Sequence, residues 1–422
     1  MHIQNILYLL LLLIPLVPKR LHIITGFNRW FGLLIFILIL IKTKKFYLDK
    51  GLNIFWIFFI LLAVPIIYHQ DFKFLLLRLT DIVIPAYCGY AFVKVEKRRY
   101  DFFNILIISA VMLSIFSIIE AFTGFNIFAW LFGYTIERGA ANDYRLGIAR
   151  AASSFDNSIN YCVYLIMISF VCIYIAAFDG SKNEMKRKRI ALCLILTAAF
   201  LTLSRGPLLV GCVVYLYLLM STGLLKRSNL RKGILFILPI AILLCIIYFE
   251  RIKIALQVLI AIIGTSFNIE KYNKLASSYG FGSGDQRAGL FKWVASDLKG
   301  HWFLGRGHKY DFGVWINVNN TGYMVRKTSI ENYYLAVALS NGLCGLTGIV
   351  LTYLFLLIKF WLIKYRDLKR TDKLYHIIIC LILFFAGACL TVSVDSELIL
   401  FYMIIGYAIG INRIDRKAGE IA

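Results

Sequence analysis

An all-α polytopic integral membrane protein is the fold class this sequence predicts, on three observations. The 422 residues are 60% hydrophobic and 16% charged, against about 45–50% apolar and 25% charged in soluble proteins. Mean hydropathy is +0.76. Apolar runs close to the roughly 20 residues that cross a bilayer recur from end to end. These observations exclude a soluble enzyme, a disordered chain and a secreted disulfide scaffold. The chain is read as a single membrane domain, 1–422, with insertions.

About twelve spans are expected, near 3–18, 22–41, 52–68, 74–93, 104–122, 159–178, 190–204, 207–222, 233–249, 331–358, 374–393 and 398–411. No Lys or Arg precedes the first run and no small-residue cleavage site follows it, so 3–18 is expected to remain as a span rather than act as a secretory signal. Only Ser204, Arg205 and Gly206 separate the seventh and eighth runs, which predicts a tight hairpin at one membrane face. The nine cysteines all fall inside apolar runs, without metal spacing, and read as small packing residues.

The net charge is +23, from 46 Lys and Arg against 23 Asp and Glu. In a soluble protein this would suggest nucleic acid, but here the basic residues crowd into alternate short loops, where they set topology, and no nucleic-acid partner is expected. Lys42, Lys44, Lys45 and Lys50 open the series. Lys94, Lys97, Arg98 and Arg99 follow, then Lys182 and 186–189, then Lys226, Arg227, Arg231 and Lys232. Lys359, Lys364, Arg366, Lys369, Arg370 and Lys373 come next, and Arg413, Arg416 and Lys417 close it. The excess of basic residues predicts that this set faces the cytoplasm, with both termini.

That orientation puts two long segments outside, about 123–158 and about 250–330. A loop as long as the second is uncommon without a function. Its Gly- and Ser-rich middle, 277–285, predicts irregular backbone. Residues 286–299 predict an amphipathic helix with Leu290, Trp293, Val294 and Leu298 on one face, stopped by Gly300.

The chain carries no CxxC, HExxH, GxSxG or P-loop. His301 and His308 have no nearby acid to complete a metal site, so no metal and no cofactor are expected. Arginines at segment junctions carry the chemistry instead. Arg205 stands at the joint of the hydrophobic hairpin. It can snorkel to headgroups, or it can clamp an anion, since guanidinium binds phosphate bidentately and keeps its charge. Gly206 and Pro207 then lead into a helix start that also favours phosphate. Arg287 opens the amphipathic helix, and Arg150 precedes Ala-Ala-Ser-Ser-Phe-Asp at the entry to the sixth span. Together the three suit a polyanion such as a lipid-linked pyrophosphate. Glu331 begins the tenth span. It is either a helix-start charge behind an Ser329 cap or a general base. Asp395 and Glu397, in the last outward turn, are similar candidates. Arg78 and Asp81 are expected to pair with each other, and Glu120 to be interfacial. The loop aromatics, Trp302 among them, suit sugar stacking or an interfacial belt.

At these residues the chain resembles the O-antigen polymerase and O-antigen ligase superfamily of bacterial membrane proteins. Leu201 to Gly206 resembles that family's Ser-Arg-Gly at a periplasmic helix end. Arg150 to Asn157 resembles its Arg-x-x-Gly-x-Phe stretch, with Ser154 in place of the glycine. Arg287 to Gly313, with Phe303-Leu304-Gly305-Arg306-Gly307, resembles its periplasmic Arg helix and following Pro-Leu-x-Gly-x-Gly element, with Trp302 where the proline would be. Glu331-Asn332-x-x-Leu335 with Asn341-Gly342-Leu343-Cys344-Gly345 resembles the His-Asn-x-x-Leu and Gly-x-x-Gly start of the next span. The resemblance implies transfer of a growing glycan from undecaprenyl pyrophosphate to a new lipid-linked repeat unit, without metal or nucleotide sugar. It implies Arg205 and Arg287 on the pyrophosphates; Glu331 is then expected to act as base for the acceptor hydroxyl, and Arg150, Arg306, Asn332 and Trp302 to be substrate contacts. Glu331 stands where the ligases look to have a histidine, which points to a polymerase. The implied partners are undecaprenyl-pyrophosphate-linked oligosaccharides and membrane lipids, with a chain-length regulator and a flippase. A ligase and a lipid-linked oligosaccharide transporter are the alternatives. A transporter often shows two similar halves, and none is found here.

Overall fold

A computed structural model describes residues 3–18, 27–47, 49–133, 144–145, 148–177, 182–222, 284–317, 324–366, 373–394 and 397–421. The expected ninth span and residues 250–283 of the late loop lie outside them, as does Asp395. The chain is mostly helical, as expected. α1 (Ile3–Leu16) and α2 (Phe27–Thr43) come first, and a 3₁₀ turn, Lys50–Leu52, leads into α3 (Asn53–Tyr68). α4 (Phe72–Arg78), a π-helical turn (Leu79–Val83) and α5 (Ile84–Phe92) follow as one interrupted helix. Then come α6 (Asp101–Thr123), α7 (Ile127–Phe132), α8 (Ser158–Ala177), α9 (Lys182–Leu201) and α10 (Arg205–Thr222). After the gap lie α11 (Gly284–Asp297), α12 (Tyr333–Arg366), α13 (Leu374–Cys389) and α14 (Leu398–Ile421). Two short antiparallel hairpins depart from a purely helical fold. They are β1 (Tyr144–Arg145) with β2 (Ile148–Ala149), and β3 (Val314–Asn317) with β4 (Met324–Lys327).

Among the described residues, six helical stretches are long and apolar enough to cross a membrane: Lys50–Tyr68, Phe72–Phe92, Asp101–Thr123, Ser158–Ala177, Arg205–Thr222 and Tyr333–Ile363. Ile3–Leu16, Leu374–Cys389 and Leu398–Ile414 are shorter apolar helices. The outer surface has the character of a lipid-facing one. On α3, Trp56, Ile57, Ile60, Val64 and Ile67 are 40–57% exposed while Phe55, Phe58, Leu62 and Ile66 are buried. A soluble fold would not leave such an apolar stripe uncovered.

α8 is the central helix, with 89% of its apolar window buried, so its apolar residues run all the way round. Hydroxyl pairs tie it to α6, Ser109 to Tyr164 at 2.9 Å and Tyr161 to Ser117 at 3.1 Å. α5 and α14 pack backbone to backbone. A Cβ on Gly89 would sit 1.9 Å from the Met403 carbonyl oxygen, and one on Gly406 1.9 Å from that of Ala86. Cys88, Cys162, Cys172, Cys380 and Cys389 are buried packing residues as expected, whereas Cys193 and Cys212 are exposed.

The bundle has two chemically distinct ends. At one, Gln4 Nε2 and Lys42 Nζ both donate to the Val95 carbonyl, at 2.6 and 3.1 Å. Lys359 Nζ donates to Gly51 O at 3.2 Å, and Arg413 pairs with Asp49. The described members of the basic loops gather there. The opposite end holds the α3–α4, α6–α7, α9–α10 and α13–α14 connections.

Two ionic groups stand out in the bundle. Arg78 and Asp81 form the expected ion pair, at 4.0 Å, and Arg29 of α2 adds a closer bidentate grip on Asp81 at 2.7 and 2.9 Å. At the basic end, Glu96 accepts hydrogen bonds from the Tyr407 hydroxyl at 2.9 and 2.8 Å. Burial raises its carboxyl to about 7, against the lowering effect of that hydroxyl. The folded chain therefore holds this proton where the unfolded chain, at about 4.3, has lost it. Its contribution to stability is complete below the unfolded value and is lost as pH rises through about 7. Thermal unfolding in detergent from pH 5 to 8 should show this decline, and Glu96→Gln should flatten it. An unchanged slope in the variant would assign the decline to another group.

Candidate functional site

The end opposite the basic loops is built from four connections. In the first, α9 ends at Leu201 and α10 begins at Arg205. Leu203 takes φ +50°, a left-handed conformation unusual for leucine, and the reversal fits into three residues. Ser204 is buried and its carbonyl accepts from Leu208 N at 3.2 Å, so it is the N-cap residue of α10. Arg205 is thus the first helical residue, and its side chain is exposed. The joint is as short as its sequence predicts, but the two helices splay apart from it, α9 packing on α8 and α6 and α10 on α13 and α8.

Arg150 leaves the β1–β2 hairpin and reaches this joint. Its Nε donates to Thr202 O at 3.2 Å and its Nη2 to Ser204 Oγ at 3.3 Å. Two arginines from different stretches therefore share one three-residue turn. Glu120 fixes the approach. It is 1% exposed, so it is a buried organiser rather than the interfacial charge expected. One oxygen accepts from Asn126 Nδ2 at 2.8 Å, and the other from the backbone N–H groups of Ala152 and Ser153 at 3.3 and 2.8 Å. Ser153 sits at φ +53° under these bonds. Two non-glycine residues in left-handed conformation flank the arginine pair, and strain of this kind gathers at functional sites.

The α13–α14 turn connects this pair to the start of α12. The Thr391 side chain lies against Gly206, where an added Cβ would meet it at 2.7 Å. Asn332 Nδ2 donates to Leu390 O at 3.0 Å. Neighbouring residues of one turn thus touch the residues that follow Arg205 and Glu331. The cap of α12 is Asn332, whose Oδ1 accepts from Leu335 N at 3.1 Å, and not Ser329. Either residue type caps a helix, and the chain uses the later one. Both polar groups of Asn332 are engaged and it is buried, so it positions Glu331 rather than offering a surface to a ligand. Glu331 itself is half-buried. Glu397, at the end of the same turn, is fully buried.

The expected tenth span is not one straight helix. At Gly342 (φ 64°, ψ −161°) the chain turns back. A Cβ on Gly345 would lie 3.1 Å from Val337 Cγ1, whereas eight residues of straight helix rise roughly 12 Å. Residues 333–341 form a short helix and 343–366 the long one. The elbow leaves carbonyls at one helix end and N–H groups at the next, and the segment 302–307 satisfies both. Arg306 N and Gly307 N donate to Leu339 O and Ser340 O at 2.7 and 3.1 Å. Leu343 N and Cys344 N donate to Trp302 O and Phe303 O at 2.7 and 3.1 Å.

Arg306 and Trp302 therefore belong to the elbow. Arg306 Nε holds the α11 terminus through Asp297 O at 2.6 Å, and its guanidinium lies over the Tyr310 ring. Trp302 is 45% exposed. Leu290 and Val294 of α11, with Leu298 just past its end, are buried on one side as expected, in one cluster with Ala338 and Leu339. Arg287 falls in its first turn, with its side chain outside the described residues.

The sequence reading passes over Asp71, which anchors the segment 302–309 that braces the elbow. Its carboxylate pairs with Lys309 Nζ at 2.9 Å and accepts from His308 N at 2.9 Å, while His69 Nε2 lies 3.1 Å from Gly305 O. Burial pushes this carboxyl up, but the Lys309 and His308 hydrogen bonds outweigh it and hold it below the ordinary value. Its contribution is present above about pH 3.9 and is lost as pH falls through the lower folded value. Asp71→Asn should weaken the brace by about 2 kcal/mol, read as faster amide exchange at 305–308 with α8 unchanged. Equal acceleration in α8 would make the effect global.

Chemically, two guanidinium groups and a helix start offer a site for phosphate oxygens, with a carboxylate on the other side of the shared turn. Among the described residues no group of three or more His, Cys, Asp or Glu is placed to hold a metal ion. No protein-family model matches this chain, and no curated protein matches it.

Proposed function

We propose that this protein is a polymerase of oligosaccharide repeat units carried on undecaprenyl pyrophosphate, building O-antigen, capsule or exopolysaccharide. In this reading it is a twelve-span protein of a bacterial cytoplasmic membrane, with both termini in the cytoplasm and the arginine-bearing end outside. The observation that supports it is the meeting of Arg150, the Ser204–Gly206 joint and the start of α12 around Leu390 and Thr391. These are three of the four stretches that carry the family resemblance.

The step breaks the bond between the growing glycan's anomeric carbon and its pyrophosphate oxygen. The terminal sugar hydroxyl of the incoming lipid-linked unit forms the new bond. Undecaprenyl pyrophosphate leaves with the electron pair, and Glu331 takes the hydroxyl proton. Arg205, with Arg287, stabilises the negative charge that grows on the leaving oxygen. A chain-length regulator and a flippase would act beside it.

The test is the surface glycan and its lipid-linked pool in cells that lack the protein. Collapse of the ladder to one repeat unit supports the polymerase. Full-length chains stranded on the carrier would replace it with the ligase. Glu331→Gln should slow elongation roughly a hundredfold if Glu331 is the base, and unchanged rate and chain length would remove that role.

A further inference from the structure

At the basic end, a hollow of about 280 Å³ opens between α2 and α3. α2 packs on α5 and the π turn, and α3 packs on α4 and the π turn, so the hollow is the wedge left between them. Its walls are almost wholly apolar, with Phe36 on one side, Phe55 and Trp56 on the other, and Val83 and Leu79 toward the middle of the bundle. From Tyr87 to Leu79 it follows the interrupted helix for roughly 12 Å. That is the shape of a slot for one chain, not of a surface dent.

The mouth has the opposite character. The segment that precedes α3 crosses it, held by Phe46 stacked on Tyr87 at 4.7 Å and by Tyr47 N donating to the Tyr87 hydroxyl at 3.2 Å. Lys44, Lys45 and Lys50 are exposed around this strap, and Lys94 Nζ lies over the Tyr47 ring at 3.1 Å. Asp49, the acid in the lining, is already paired with Arg413. A cationic rim at the helix ends thus sits above an apolar slot that runs along the helices.

We propose that this slot holds one acyl chain of an anionic phospholipid, whose headgroup phosphate rests among Lys44, Lys45 and Lys50. Hydrocarbon fits the walls, and a negatively charged headgroup fits the rim. The proposed glycan chemistry lies at the other end of the bundle. An isoprenoid carrier reacting there would present its pyrophosphate to the opposite leaflet, which argues for a phospholipid as the occupant here. The lipid would fix the strap and the start of α3, and this assignment stands whether or not the protein polymerises glycan.

The full-length protein is reconstituted in vesicles of equal phosphatidylglycerol and phosphatidylcholine with a minor amount of undecaprenyl phosphate. It is then extracted and weighed by native mass spectrometry. Retained phosphatidylglycerol is expected. Asn53 is exposed and lines the mouth, so Asn53→Trp should block entry and abolish retention without touching the core. Lys50→Gln, which tests the rim even if the first variant folds poorly, should lower the preference for phosphatidylglycerol roughly fivefold. Equal retention of phosphatidylcholine, retention of undecaprenyl phosphate instead, or a folded Asn53→Trp protein that keeps its phosphatidylglycerol would each overturn the assignment.

Discussion

Replacing Arg205 by lysine should cut elongation by roughly two orders of magnitude and leave the fold intact. The side chain is exposed at the first position of α10, and lysine suits a helix start about as well as arginine does. What the variant removes is a planar fork that can grip two phosphate oxygens at once. Lysine keeps the charge but presents it as a point. Losing one well-placed donor to a developing oxyanion costs about 10²–10³ in rate, and arginine supplies two. The measurement is glycan ladder length and lipid-linked pool in cells carrying the variant, with thermal unfolding of the purified protein beside it. Full activity would mean that a point charge suffices and that the clamp is wrong. Loss of activity together with a lowered unfolding temperature would return Arg205 to a structural role. Arg150→Lys offers an internal contrast, because Arg150 is bonded to Thr202 O and Ser204 Oγ. It shapes the joint, so its replacement should lower both stability and rate.

What the sequence makes legible is what the bilayer dictates locally. Apolar length and the clustering of basic residues depend on near neighbours along the chain, so most described helices fall close to their expected bounds. The amphipathic face of α11 is legible for the same reason. Contacts across sequence are not. Arg150 and Ser204 lie 54 residues apart and Arg29 and Asp81 52 apart, and nothing in their local pattern links them. Asp81 illustrates both, since its pairing with Arg78 three residues away is legible and its bidentate partner Arg29 on α2 is not. The centrality of α8 is hidden too, because lipid and protein interior select the same apolar residues. The elbow at Gly342 was masked by its setting. Gly342, Gly345 and Gly348 read as the small residues common in membrane helices, and the apolar run continues through all three.

That elbow sets the position of Glu331, and Gly342→Ala should therefore be among the most damaging single substitutions in the chain. Gly342 combines φ 64° with ψ −161°, a region nearly closed to any residue with a Cβ and worth about 1–3 kcal/mol of strain. The space is closed as well. The new Cβ would lie 2.3 Å from the Phe303 carbonyl oxygen and 2.6 Å from Gly305 N. These are backbone atoms of the brace, so no side chain can swing aside to relieve the clash. Gly300→Ala separates the two effects. Gly300 has φ +79° but nothing within 4 Å of its missing Cβ, so alanine there carries conformational strain alone, about 1–2 kcal/mol. Thermal unfolding should show a small loss for Gly300→Ala and a much larger one for Gly342→Ala. Glycan elongation should fall only in the second, because only there is the helix that carries Asn332 and Glu331 displaced from the Leu390–Thr391 turn. Equal losses would mean that backbone conformation alone matters and that the brace does not hold the elbow. If Gly342→Ala unfolds but retains normal elongation at low temperature, the placement of Glu331 is not set by this joint, and the case for Glu331 as the base falls with it.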